Sequence, residues 1–201
     1  MDDYRDVEIG LRHNVLVYDI EIIKATPPRK KDGLPVPGIE YCAGFEDHAN
    51  MGVACICAYD AQTDRWRTFT EGNFMEFQEL ANERLVVGFN SMAFDDKVCA
   101  YAGLHVTTGW DLLQEIWVAA GLEREFKFPT HTGRGLDAMA VANGLTGKTG
   151  YGGMAGVWWQ QGQYGKVIDY CLEDVRLTVE LIRKAGNNGS LLDDPKRELY
   201  T

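Results

Sequence analysis

The chain has 201 residues, 45% of them hydrophobic, which suits one α/β domain with a real core. Thirty acidic residues against twenty basic ones give a formal net charge of −10, which argues against broad adhesion to nucleic acid through Lys and Arg. No apolar run approaches the roughly 20 residues that span a bilayer, and the acidic start from Met1 to Asp6 lacks a signal peptide's apolar stretch, so the expected location is cytoplasmic.

Val15 to Ile23 is β-branched and apolar on both faces, the pattern of a central strand covered on both sides. Gly52 to Tyr59 and Arg65 to Thr70 read as the next strands, joined by a turn at Asp60–Asp64, and the three predict an antiparallel meander. Phe74 to Glu83 reads as a helix, Leu85 to Phe89 as a strand, and Ala93 to Ala102 as a helix. Further helices are expected over Leu112–Ala120 and Leu136–Asn143, with Gly121 and Gly144 as stops, and over Lys166 to about Ala185, preceded by Gly165. From Gly186 onward the chain is polar and turn-rich. The order of elements predicts an α/β domain, a mixed sheet flanked by helices, with a core over about 14–185. Residues 24–50 form a connection longer than the roughly 12–15 residues that compact domains usually tolerate. With its prolines and its Arg29-Lys30-Lys31 run, it reads either as a solvated surface loop or as a basic flap over nucleic acid.

Carboxylates interrupt this apolar pattern at three places. Side chains alternate along a strand, so Asp19 and Glu21 share a face with Val15, Val17 and Ile23. Burying two such neighbours without partners costs several kcal/mol by rough estimate. On the last helix, a step of about 100° per residue places Asp174 among Val167, Cys171, Thr178 and Leu181, opposite the polar stripe of Asp169, Glu173, Arg176, Glu180 and Arg183. Tyr170 lies one turn before Asp174 on the same side. Asp95 and Asp96 stand in the first turn of a helix that Asn90 or Ser91 caps, where acids are also favoured by the helix dipole.

Taken in order, Asp-x-Glu on a first strand, Gly-Phe-Asn-Ser-x-x-Phe-Asp before a helix, and Tyr-x-x-x-Asp on a late helix resemble the three motifs of the DEDD exonuclease superfamily. The tyrosine places the resemblance in the superfamily's tyrosine branch, and it implies a ribonuclease-H-like fold. It also implies a metal-dependent 3′→5′ exonuclease acting on DNA or RNA, with two Mg²⁺ or Mn²⁺ ions held by Asp19, Glu21, Asp95 and Asp174. Within that scheme Asp19 bridges the ions, Glu21 and Asp174 complete the water-activating site, Asp95 holds the second ion through water, and Tyr170 orders the attacking water. Hard cations favour such an all-oxygen set over zinc. The implied partner is a nucleic acid with a free 3′ end, single-stranded DNA before RNA, in the company of a polymerase, helicase or other replication or repair protein. The competing readings are a structure-selective endonuclease on the same carboxylates and a silent binding module.

Other residues carry weaker signals. Asn90 is a candidate contact to a terminal nucleotide, and Arg29, Lys30 and Lys31 are candidate phosphate contacts. Trp158 and Trp159 read as base-stacking platforms or as core. Gly150 to Gly153 lacks the phosphate-loop pattern, and the histidines show no ligand spacing. The five cysteines, with no Cys-x-x-Cys pair, read as reduced and buried rather than as a zinc site or disulfide framework.

Overall fold

A computed structural model describes residues 14–28, 34–147, 152–188 and 191. Strand β1 (Val15–Ile22) is the centre of a five-stranded sheet. It pairs antiparallel with β2 (Val53–Asp60), which pairs antiparallel with β3 (Arg65–Phe69). On its other edge β1 pairs in parallel with β4 (Leu85–Gly88), which pairs in parallel with the two-residue β5 (Trp110–Asp111). The order is therefore β3-β2-β1-β4-β5, the meander expected from the sequence extended by two parallel strands.

The helices are α1 (Phe74–Asn82), α2 (Asp95–Tyr101), α3 (Leu112–Ala119), α4 (Leu136–Ala142), α5 (Ala155–Gln160) and α6 (Tyr164–Asn188). Both faces of β1 are covered. Val15 and Val17 join β2 residues Cys55 and Cys57 and α6 residues Val167, Cys171 and Val175 in one core. Leu16, Tyr18, Ile20 and Ile22 join Phe77 of α1 and Val98 and Cys99 of α2 in the other. Each fully buried aliphatic side chain contributes about 1.5–3 kcal/mol, so the register of β1 is fixed from both sides.

Several boundaries differ from the sequence expectation. The final helix begins at Tyr164, so Gly165 lies inside its first turn rather than before it. Helix α2 starts at Asp95, because residues 91–94 form a turn, and its N-cap is Phe94 with no side-chain cap. Asn90 and Ser91 therefore do not cap it. Helix α5 and strand β5 were not anticipated: the first is a single short turn-and-a-half and the second has two residues, too few for any periodicity to register. Gly121 and Gly144 do end their helices, with φ of 74° and 73°, values that strain any residue with a Cβ.

The long connection after β1 is tied down over its described part. Ala25 bridges Tyr41, and the Gln160 side chain donates to the carbonyls of Ile23 and Glu40 while accepting from the Glu40 amide. Gly156 permits this docking, since a Cβ there would lie 2.7 Å from the Ala25 nitrogen. Arg29, Lys30 and Lys31 lie outside the described residues.

Chain connections leave β1 toward β2 on one side, while the parallel neighbour β4 lies on the other. In an open sheet, such a divergence opens a crevice at the carboxyl ends of the parallel strands. The carboxyl end of β1 carries Asp19 and Glu21, and the turn after β4 leads to Asp95.

Candidate metal centre

The fold gathers the acids from distant parts of the chain. One carboxylate oxygen from each of Asp19, Glu21 and Asp174 lies within 4.8 Å of the others. Glu21 and Asp174 are buried, at 8% and 5% exposure, and Asp19 is half-buried. The alternation of β1 aims Asp19 and Glu21 to one face, and α6 packs on that face with Val167, Tyr170, Cys171, Asp174, Thr178 and Leu181 turned inward. The helical stripe containing Asp174 is thus buried as its spacing implies. Ile168 and Leu172 are only half-buried.

The donor set fits a hard divalent cation. Around an octahedral ion with metal–oxygen distances of about 2.0–2.1 Å, ligand oxygens stand roughly 3–4 Å apart, inside the 4.8 Å within which these three lie. Three oxygens from a strand and a long helix are thus close enough to share an ion. An all-carboxylate set suits a hard divalent cation.

Asp95 stands beside this trio rather than in it. The pairing of β1 with β4 reaches only Val17, and Asp95 Oδ1 accepts the Ile20 amide at 3.1 Å on the edge of β1 beyond that point. Burial pushes the Asp95 carboxyl up to about 7, against the hydrogen bond from Ile20, and the charges of Asp96 and Asp111 add to the rise. Asp96 points elsewhere. Its carboxylate accepts the Tyr18 hydroxyl and both the amide and the hydroxyl of Thr108, which locks α2 to β1 and to the segment before β5.

The turn that delivers Asp95 is built by three special positions. At Gly88 a Cβ would lie 2.2 Å from Ser91 Oγ, so only glycine lets the turn fold back on β4. Asn90 adopts φ 65°, a left-handed conformation that Asn tolerates better than most residues. Asp111, buried at the end of β5, then accepts the amides of Asn90 (2.9 Å) and Met92 (3.1 Å) as well as those of Leu113 (3.0 Å) and Gln114 (3.4 Å). One carboxylate caps α3 and anchors the turn, and burial, opposed by these four amide bonds, leaves its pKa raised. Sequence reasoning missed Asp111. Its signal was an acid directly before an apolar helix, which ordinarily means no more than a cap.

Tyr170 is buried on α6 with its ring edge-on to Trp158, centroids 6.2 Å apart. A groove of about 800 Å³ opens beside it, lined by Trp66, Trp158, Lys166, Asp169 and Arg176 among others. Lys166 Nζ lies 3.7 Å from the centroid of the Trp158 ring. Trp159 turns instead toward Tyr164, at 4.6 Å, so the two tryptophans face different neighbours. Trp158 borders the groove, and both are half-buried.

No protein-family model matches the chain, and no curated protein matches it. Among solved structures, the chain is similar to the family B DNA polymerase from the hyperthermophilic archaeon Pyrobaculum calidifontis, with a TM-score of 0.54 and 19% identity. The match covers 86% of this chain and 24% of the polymerase, so the chain spans about a quarter of that protein's length. Among the described residues, no helix is long and apolar enough to cross a membrane. The fold is α/β, a mixed five-stranded sheet flanked by helices, and it is ribonuclease-H-like.

Proposed function

We propose that the chain is a metal-dependent 3′→5′ exonuclease that hydrolyses phosphodiester bonds from the 3′ end of a nucleic acid, forming a single catalytic domain over residues 1–201 with its core at about 14–185. The observation that carries the reading is the convergence of Asp19, Glu21 and Asp174 within 4.8 Å on a buried face, with Tyr170 one helical turn from Asp174. Like charges brought together in a low-dielectric site are costly unless a cation occupies it. When bound, a pair of divalent ions supplies a more acidic water and neutralises the charge that develops on the phosphate. Asp19, Glu21 and Asp174 are the residues that would hold them, with Asp95 on the flank.

The chain's own groups do the rest. Tyr170 hydrogen-bonds the attacking water and orients it toward phosphorus. The turn at Asn90, fixed by Asp111, positions the terminal nucleotide. Trp158 offers its face to a base along the groove beside Tyr170, with Lys166 close by to meet a phosphate. Arg29, Lys30 and Lys31 add phosphate contacts from the long connection. The likeness to a DNA polymerase favours single-stranded DNA over RNA as substrate, and a polymerase or other replication or repair protein as companion.

The test is digestion of 5′-labelled single-stranded DNA and RNA with Mg²⁺, Mn²⁺ or EDTA. The expected result is a ladder shortening from the 3′ end, abolished by EDTA and stronger on DNA. Cutting of circular single strands would replace this reading with an endonuclease, and binding without cleavage under any metal would replace it with a binding module.

A further inference from the structure

A second cluster lies on the same face of the sheet, opposite the acids. In the antiparallel ladder Glu21 pairs with Cys55 and Asp19 with Cys57, so the two cysteines share a face of β2 by strand alternation. Cys171, three residues before Asp174 on α6, closes over them. All three residues are fully buried at 0% exposure, and their sulfurs lie within 4.8 Å of one another. The other two cysteines, Cys42 and Cys99, take no part in this cluster.

We infer that Cys55, Cys57 and Cys171 form a three-sulfur site for one thiophilic cation of the Zn²⁺ or Cd²⁺ class, separate from the carboxylate centre. With zinc–sulfur bonds of about 2.3 Å, bound thiolates stand roughly 3.8–4.0 Å apart, so the trio needs to close by less than about 1 Å. Further donors are at hand. Thr68 Oγ1 is 3.8 Å from Cys57 Sγ, the Ile168 carbonyl is 3.7 Å from it, and the Asp19 carbonyl is 3.3 Å from Cys171 Sγ. Sulfur ligands select soft cations and leave Mg²⁺ to the oxygens next door, so the two clusters sort ions by chemistry. The cation would join α6 to β2 one turn from Asp174 and fix the helix that carries Asp174 and Tyr170. The site does not depend on the exonuclease reading.

The experiment is a Cd²⁺ titration of the whole, reduced protein in excess Mg²⁺, followed by ultraviolet absorption and thermal melting. One equivalent should bind with a thiolate-to-cadmium charge-transfer band and raise the melting temperature. Cys57→Ala and Cys171→Ala should each cut the band and weaken binding by about tenfold or more, as expected when one of few ligands is lost. Cys42→Ala, Cys99→Ala and Asp174→Asn should all keep it. Far-ultraviolet circular dichroism checks that each variant is folded, and Cys57→Ser replaces Cys57→Ala if the latter is not. Absence of the band in the unaltered protein overturns the inference, as does a band that survives the loss of Cys57 or Cys171, or one that disappears with Cys42 or Cys99.

Discussion

The β1–β2 ladder carries acids toward both ends, and they are treated in opposite ways. Asp60, fully buried beside the start of β1, is met by Arg84 at 3.4 Å and Arg67 at 3.6 Å, by the Thr63 hydroxyl at 2.8 Å and by the Gln62 amide at 3.1 Å. Burial pushes its pKa up, but the Thr63 and Arg84 contacts outweigh burial and hold it below the usual carboxylate value. At the other end, Asp19, Glu21 and Asp174 crowd together and Asp95 is pushed up to about 7 by burial. One end brings its cations from the sequence. The other gathers three carboxylates at the candidate metal centre. The difference separates a carboxylate that holds the fold together from carboxylates that the fold holds ready.

The sharpest way to break this contrast is to remove what each end needs. EDTA, or Asp19→Asn or Asp174→Asn, should reduce turnover on 5′-labelled DNA to background. The metal-free Asp19→Asn protein should nevertheless melt at a higher temperature than the unaltered one, because a repelling charge is gone. A lower melting temperature in EDTA would mean that the acids stabilise the fold as Asp60 does.

Tyr170→Phe tests the same end more finely. It removes one hydroxyl and keeps the ring against Trp158, so stability should hold while turnover at saturating metal falls by about 10²–10⁴-fold. Near-full turnover would make Tyr170 a packing residue only.

At the structural end, Arg84→Ala strips Asp60 of one cation and leaves Arg67. Urea unfolding should show a loss of about 3 kcal/mol, the low end for a broken buried pair because Arg67 remains, with turnover per folded molecule unchanged. An effect below about 0.5 kcal/mol would place this pair with ordinary surface ion pairs.

The smallest effect is in pH dependence. The folded-state pKa of Asp95 is raised by burial above its unfolded value of about 4, so its contribution is fully present below that value and is lost as pH rises toward 7. Metal-free protein should therefore lose a small part of its stability over that window, and Asp95→Asn should flatten the slope. Asp60, whose pKa is lowered, has the opposite sign: its contribution is lost as pH falls below the carboxylate range. Thermal melts of the two proteins across that window in EDTA separate these contributions.

The two ends also differ in how far they could be read from the residues. Asp19, Glu21 and Asp174 are visible because each interrupts an apolar pattern of known period, and period translates directly into facing. The central strand, the meander and the last helix are visible for the same reason. Asp95 was visible only as part of an ordered set of motifs, since an acid in a first helical turn is ordinary. Asp111 and the thiol cluster could not be read, because their meaning lies in which distant segments meet. Nothing at Cys55 announces Cys171, and nothing at Asp111 announces the amides of Asn90 and Met92. Strand β5 was illegible through brevity. The misplaced start of α6 has a plainer cause: Gly165 reads as a breaker, yet a first helical turn tolerates glycine at a cost of about 1 kcal/mol.

Because β1 leaves its partnership with β4 after Val17, the amide of Ile20 has a side-chain oxygen, that of Asp95, as its acceptor where a ladder would have placed a carbonyl. A main-chain proton in mid-strand is thereby wired to a group whose charge changes with its surroundings. The nitrogen–proton resonance of Ile20 should shift, and its rate of exchange with deuterated solvent should change, whenever Asp95 gains a proton or turns toward a ligand. A single backbone signal thus becomes a gauge of the crevice, readable before any substrate is found.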